Sequence, residues 1–150
     1  MLKAGLWTAL GSILGFVAWA IVGVIGLLSL KLAWADYAAS VDTFSFTASM
    51  LWARLVVGVL SSFAAGWAAY IFTKTHKSPW VLGVPLLVYC AYMHFGVLWD
   101  SFPAWFHFIY VLSLLPLIIL GGRVARSQRQ DQQQEKCDEE EVADTDTVAT

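Results

Sequence analysis

The 150-residue chain is 59% hydrophobic, 15% aromatic and only 13% charged, with a formal net charge of −2. Those proportions exclude an ordinary soluble domain, in which about a quarter of the residues would be charged, and point to a chain that lives in a bilayer. The small net charge hides an asymmetry, because residues 1–130 carry eight Lys or Arg against three acids and residues 131–150 carry one against eight.

A hydrocarbon core about 30 Å thick takes about 20 helical residues. Four stretches meet that length, 5–30, 48–73, 79–99 and 102–122, so the expected fold is an all-α bundle of four transmembrane helices within residues 1–126. Span one opens after Lys3 and carries Gly11 and Gly15 in GSILG. Lys3, the apolar run and Ala33-Trp34-Ala35 also fit a cleaved secretory leader, but a leader's apolar core of about 7 to 15 residues is much shorter than this run. A short amphipathic loop follows, with Trp34 and Tyr37 placed as interfacial anchors. In span two Gly58, Ser62, Ala65 and Ala69 recur at spacings of four, three and four. They make a smooth face that another backbone can approach closely, and packing within the chain is favoured over a homodimer. Ser78-Pro79 reads as an N-cap with proline in the first helical position of span three. LWDSFP is a tight turn into span four, with Asp100 or Ser101 as its cap and Trp99 and Trp105 as anchors. From Ser127 onward the chain is Gln-rich and then acidic with no apolar face, so residues 127–150 are expected to be a disordered tail.

Charge sets the orientation. Lys3, Lys74, Lys77, Arg123, Arg126 and Arg129 fall on one side, while Lys31, Asp36, Asp42 and Asp100 fall on the other. The positive-inside rule then places both termini in the cytoplasm.

The outer halves of the spans hold few ionisable residues: Arg54, His94, Asp100 and His107. Arg54 precedes Gly58 by four and so lies on the small-residue face, toward the bundle. Asp100 is at the same level, which predicts an Arg54–Asp100 pair. Equally open is an Arg54 that reaches the headgroups while Asp100 is a solvated cap. His94 lies six residues before Asp100 and His107 seven after it, each about 9 to 10 Å along its helix from the turn. The two therefore sit at matching depth on antiparallel neighbours, and each ring needs a partner for its N–H. Three readings compete, the first being a polar bridge between helices. The second is an outer-leaflet pocket for a small ligand, lipid headgroup or quinone, with Arg54 attracting an anionic group. The third is a metal or bis-histidine haem held by His94 and His107. It is disfavoured because adjacent hairpin helices leave little room and no third ligand is evident. No metal or cofactor is therefore expected, and Cys90 and Cys137 form no recognisable pair.

The membrane body has no Gly-x-Ser-x-Gly, HExxH, acidic pair or Gly-rich phosphate loop, and no nucleic-acid signature, so the expectation is a protein that is not an enzyme and binds no nucleic acid. The leading expectation is a scaffold or accessory subunit in the lipid bilayer, its small-residue faces packing on themselves, a second copy or a membrane partner. The alternative is a protein that binds or helps transport a small ligand, lipid or quinone.

The segment WDSFPAWFH, followed by LPLIILGGRVAR and preceded by ARLVVGVLSSFAAGWAA in span two, resembles a loose group of small proteobacterial inner-membrane proteins. The match in pattern covers most of residues 1–126, and WDSFPAWFH is its most specific part. The resemblance implies a multi-pass inner-membrane protein with four spans; it implies no activity, and the tail has no counterpart in it.

Overall fold

Thirty-two residues without a proline form α1 (Leu2–Ala33). The helix stops at Trp34, whose backbone is extended (φ −132°, ψ 101°), and the chain turns into the short α2 (Ala35–Val41). Next comes α3 (Ala48–Thr73), closed by Lys74 in the left-handed region (φ 57°), whose N–H donates to the Tyr70 carbonyl at 2.7 Å. α4 (Ser78–Tyr92) passes into a π turn over Met93–Val97, closed by the Leu98 N–H on the Met93 carbonyl at 2.8 Å. A 3₁₀ turn at Trp99–Ser101 leads to α5 (Ala104–Val148). This computed structural model describes residues 2–148, and side chains over residues 5–138.

Four of these helical segments, Gly5–Ala33, Ala48–Thr73, Ser78–Val97 and Ala104–Asp138, are long and apolar enough to cross a membrane. The chain is a multi-pass, all-α membrane protein. Helices suit that solvent because each satisfies its own backbone polar groups. The outward face of α1, with Leu6, Ile13, Ile21, Ile25 and Leu32 exposed, has the lipid-facing chemistry such a helix needs.

α3 is the central element, packed against α1 on one side and α5 on the other. Small residues let the main chains meet there, as expected where lipid supplies no hydrophobic force between helices. A methyl group added at Gly66 would overlap the Ile118 carbonyl, and one at Gly121 the Phe63 carbonyl, so α3 and α5 touch backbone to backbone. On the other side, a β-carbon at Gly15 would lie 2.8 Å from the Ala65 carbonyl oxygen and 3.0 Å from Ala69 Cβ. At Gly11 it would meet the Thr73 side chain. Gly11, Gly15, Gly58, Ser62, Ala65 and Ala69 are all buried by the chain's own helices. Two apolar clusters complete the core: Ala65, Ala69, Leu82, Leu86, Leu114 and Ile118 in one, Leu51, Leu55, Phe102 and Phe106 in the other.

Three expectations are corrected. The tail expected to be disordered from Ser127 is helical to Val148, as a continuation of α5. Gln, Glu, Lys, Arg and Ala favour helix, no Gly or Pro interrupts them, and a helix already formed in the membrane supplies the nucleus that an isolated polar segment lacks. The Gln134 amide donates to Asp138 at 2.9 Å one turn on, and the Trp67 indole N–H donates to Gln128 at 3.1 Å. Second, Ser78 does not cap its own helix; its hydroxyl lies 2.6 Å from that of Thr73 and ties the end of α3 to the start of α4. Third, Tyr37 is 1% exposed, a core residue and not an interfacial anchor, because α2 folds back on the bundle and presents it to Arg54.

Candidate functional site

The hairpin of α4 and α5 brings His94 and His107 into direct contact, with Nδ1 to Nδ1 at 3.0 Å. The π turn carries His94, and such turns recur at functional sites. His107 is fully buried, and its Nε2 faces two backbone carbonyls, Trp99 at 3.3 Å and Phe102 at 3.1 Å. Carbonyl oxygens only accept, so Nε2 carries the hydrogen and donates it. Two neutral rings then satisfy the contact in one way: His94 donates its Nδ1–H to the bare Nδ1 of His107. The atom left to His94 is Nε2, a free acceptor without a hydrogen-bond partner among the described residues. Aromatic faces hold both rings in place, Tyr110 on His94 (4.4 Å, 18°) and Trp99 on His107 (5.2 Å, 22°). The direct contact between the Nδ1 atoms leaves no room for a haem between them. Among the described residues no three His, Cys, Asp or Glu side chains gather as metal ligands.

Arg54 and Asp100 do not pair, and this corrects the expected bridge. Arg54 donates through Nη1 to the Tyr37 hydroxyl at 2.8 Å and lies over the rings of Phe46 (4.8 Å) and Phe102 (5.3 Å). Those two rings stack on each other at 5.7 Å and stand where a carboxylate would have to approach. Asp100 sits exposed on the 3₁₀ turn, and α5 begins only at Ala104, so Asp100 caps neither helix through its side chain. Of the four residues singled out from sequence, Arg54, His94 and His107 are brought together and Asp100 is left outside.

Arg54 and His94 share a cavity of about 280 Å³, close to the lower end of the roughly 300–1,000 Å³ of ligand pockets. It lies between α1, α3, the π turn and the start of α5. α1 meets α4 lower down, where Gly15 faces Leu82, and barely touches α5. The bundle is therefore open between α1 and the hairpin. Ala20, Val24, Leu27, Val57 and Phe106 give the cavity apolar walls. Its polar lining side chains are Arg54, His94, Ser61 and Tyr110, with the ring of Trp19 beside them. The Trp19 indole N–H is buried without a partner, and the Tyr110 hydroxyl has none among the described residues. Sequence reasoning missed Trp19 and Tyr37, since nothing in spacing distinguishes an inward aromatic from an interfacial one.

The geometry makes two stability predictions. Tyr37→Phe should cost about 1.5 to 3 kcal/mol, the value of a hydrogen bond to a charged group, whereas Asp100→Asn should leave the melting temperature unchanged. Thermal unfolding in detergent checks both, and a large loss from Asp100→Asn would contradict the observed arrangement.

Four helices able to cross a membrane and a largely apolar cavity with a few polar side chains define the class: a helical multi-pass membrane protein with a cavity between its spans. Comparison with protein-family models, curated proteins and solved structures finds no match.

Proposed function

We propose that the chain is a bacterial inner-membrane protein, with both termini in the cytoplasm, that binds a small amphipathic ligand in the cavity between α1, α3 and α5. The observation that carries this reading is a cavity with apolar walls lined by a cation, Arg54, that donates to a neutral hydroxyl and has no anionic partner among the described residues. A charge beside apolar walls without a counter-ion is costly, and an anionic or polar head on an apolar body is the ligand chemistry that offsets it. A scaffold or accessory-subunit role rested on small-residue faces free for a partner; those residues are buried within the monomer, which supports internal packing instead. The inner-membrane location and orientation are supported by the basic residues at the α3–α4 turn and after Gly122, under the positive-inside rule.

Gly23 offers the test, because a β-carbon there meets only Ser61 Oγ, at an ordinary 3.5 Å, yet the residue lines the cavity. Gly23→Leu should fill the space without disturbing the helices. Native mass spectrometry of protein released from its own membranes is expected to show a small bound mass in the wild type that Gly23→Leu lacks. No adduct in either, or the same adduct in both, sinks the reading. A fluorescent reporter fused after Thr150 checks orientation and should report from the cytoplasm.

A further inference from the structure

Resting on that cavity as the ligand site, we propose that its occupant is a single-chain carboxylate, a fatty acid whose head meets Arg54 and whose chain leaves between α1 and α5. Three observations lead there. The first is charge. Arg54 touches only neutral groups, the Tyr37 hydroxyl and the faces of Phe46 and Phe102, and no carboxylate among the described residues pairs with it. A cation at the edge of a low-dielectric space, with no counter-ion, attracts an anion far more strongly than it would in water.

The second is the sense of the polar atoms. Arg54 has five N–H donors and no acceptor, and its one hydrogen bond goes from Nη1 to the Tyr37 hydroxyl. The Tyr110 hydroxyl is a further donor within the same walls, against one bare acceptor, His94 Nε2. A carboxylate, with about four lone-pair sites, answers such a set and takes Arg in a forked pair. A neutral carbonyl, as in a quinone, would accept from one of these donors and leave the charge unanswered. The third is size and shape. A cavity of about 280 Å³ holds a head and the first part of one chain, and its gap beside α1 gives that chain a way into lipid. A diacyl phospholipid brings two chains and a bulkier head to the same gap.

The probe is a dibrominated stearate, whose bromines quench tryptophan, added to the protein in nanodiscs of zwitterionic phospholipid. The acid is expected to quench a saturable part of the fluorescence, and its methyl ester is not. Arg54→Gln should weaken the acid by about tenfold or more, in line with the loss of a charge-assisted pair, with Arg54→Lys falling between. Trp19→Phe should remove the saturable component. Acid and ester binding alike, with Gly23→Leu abolishing both, would overturn the carboxylate assignment and leave the cavity reading standing. Quenching that Gly23→Leu does not touch would overturn both. Replacing a tenth of the nanodisc lipid by anionic phosphatidylglycerol should leave the acid's curve in place; its loss would assign the site to a phospholipid headgroup and overturn the proposal. The comparison of acid with ester is made on the wild type, so it stands even if an Arg54 variant fails to fold.

Discussion

Gly66→Ala should cost the bundle about 3 kcal/mol or more, the upper range for overpacking a well-filled core. Alanine is the better helix former by about 1 kcal/mol, so intrinsic propensity predicts the opposite sign. What decides is the neighbour: the new methyl would overlap the carbonyl of Ile118, and main-chain atoms cannot rotate away as a side chain can. α5 cannot slide either, because Gly121 seats it against the Phe63 carbonyl from the other side of the same crossing. Separating the helices to admit one methyl would loosen Ala65 and Ala69 against Leu114 and Ile118. Gly5→Ala is the control, since nothing lies within 4 Å of its β-carbon position, and it should leave stability unchanged or slightly raised. Reversible unfolding in mixed detergent compares the two. Equal effects would mean that α3 and α5 do not cross at Gly66.

The same crossing shows how far the sequence could be read. Length and hydropathy count spans well, and α3 begins and ends where the apolar run does, at Ala48 and Thr73. The face made by Gly58, Ser62, Ala65 and Ala69 was visible because helical spacing reveals a stripe of small residues without reference to its partner. Gly66 and Gly121 were not visible, because a contact between a glycine and a main-chain carbonyl far away in the chain has no periodicity of its own. His94 and His107 were legible for a geometric reason: a hairpin places residues equidistant from its turn at equal depth. The Arg54–Asp100 pair failed because depth alone was matched. An interposed aromatic layer, Phe46 on Phe102, depends on how the loop before α3 folds, and hydropathy carries no information about that. The tail failed by a different route, since composition rules describe a free segment and this one is attached to a formed helix.

His107→Ala should destabilise the protein by about 3 to 4 kcal/mol, more than any change at His94, because the two rings hold unequal shares of the network. His107 is fully buried and engages three groups, the Trp99 and Phe102 carbonyls through Nε2 and His94 through Nδ1. Truncation leaves both carbonyls and one N–H without partners, and removes the ring on which Trp99 stacks. His94→Phe keeps an aromatic surface on Tyr110 and removes one donor, so about 1 to 2 kcal/mol is expected. His107→Gln separates the two halves of the effect. Its amide N–H₂ can reach the carbonyls as Nε2 does but gives His94 no acceptor in the same place, so it should recover part of the loss. Because Gln, like Ala, offers His94 no acceptor, double-mutant cycles between His94→Phe and either His107→Gln or His107→Ala should both return about 0.6 to 2 kcal/mol, the range for polar contacts between helices in lipid. Should His94→Phe prove as damaging as His107→Ala, the direction of the hydrogen bond assigned here would be reversed, with His107 donating and the turn carbonyls left to water.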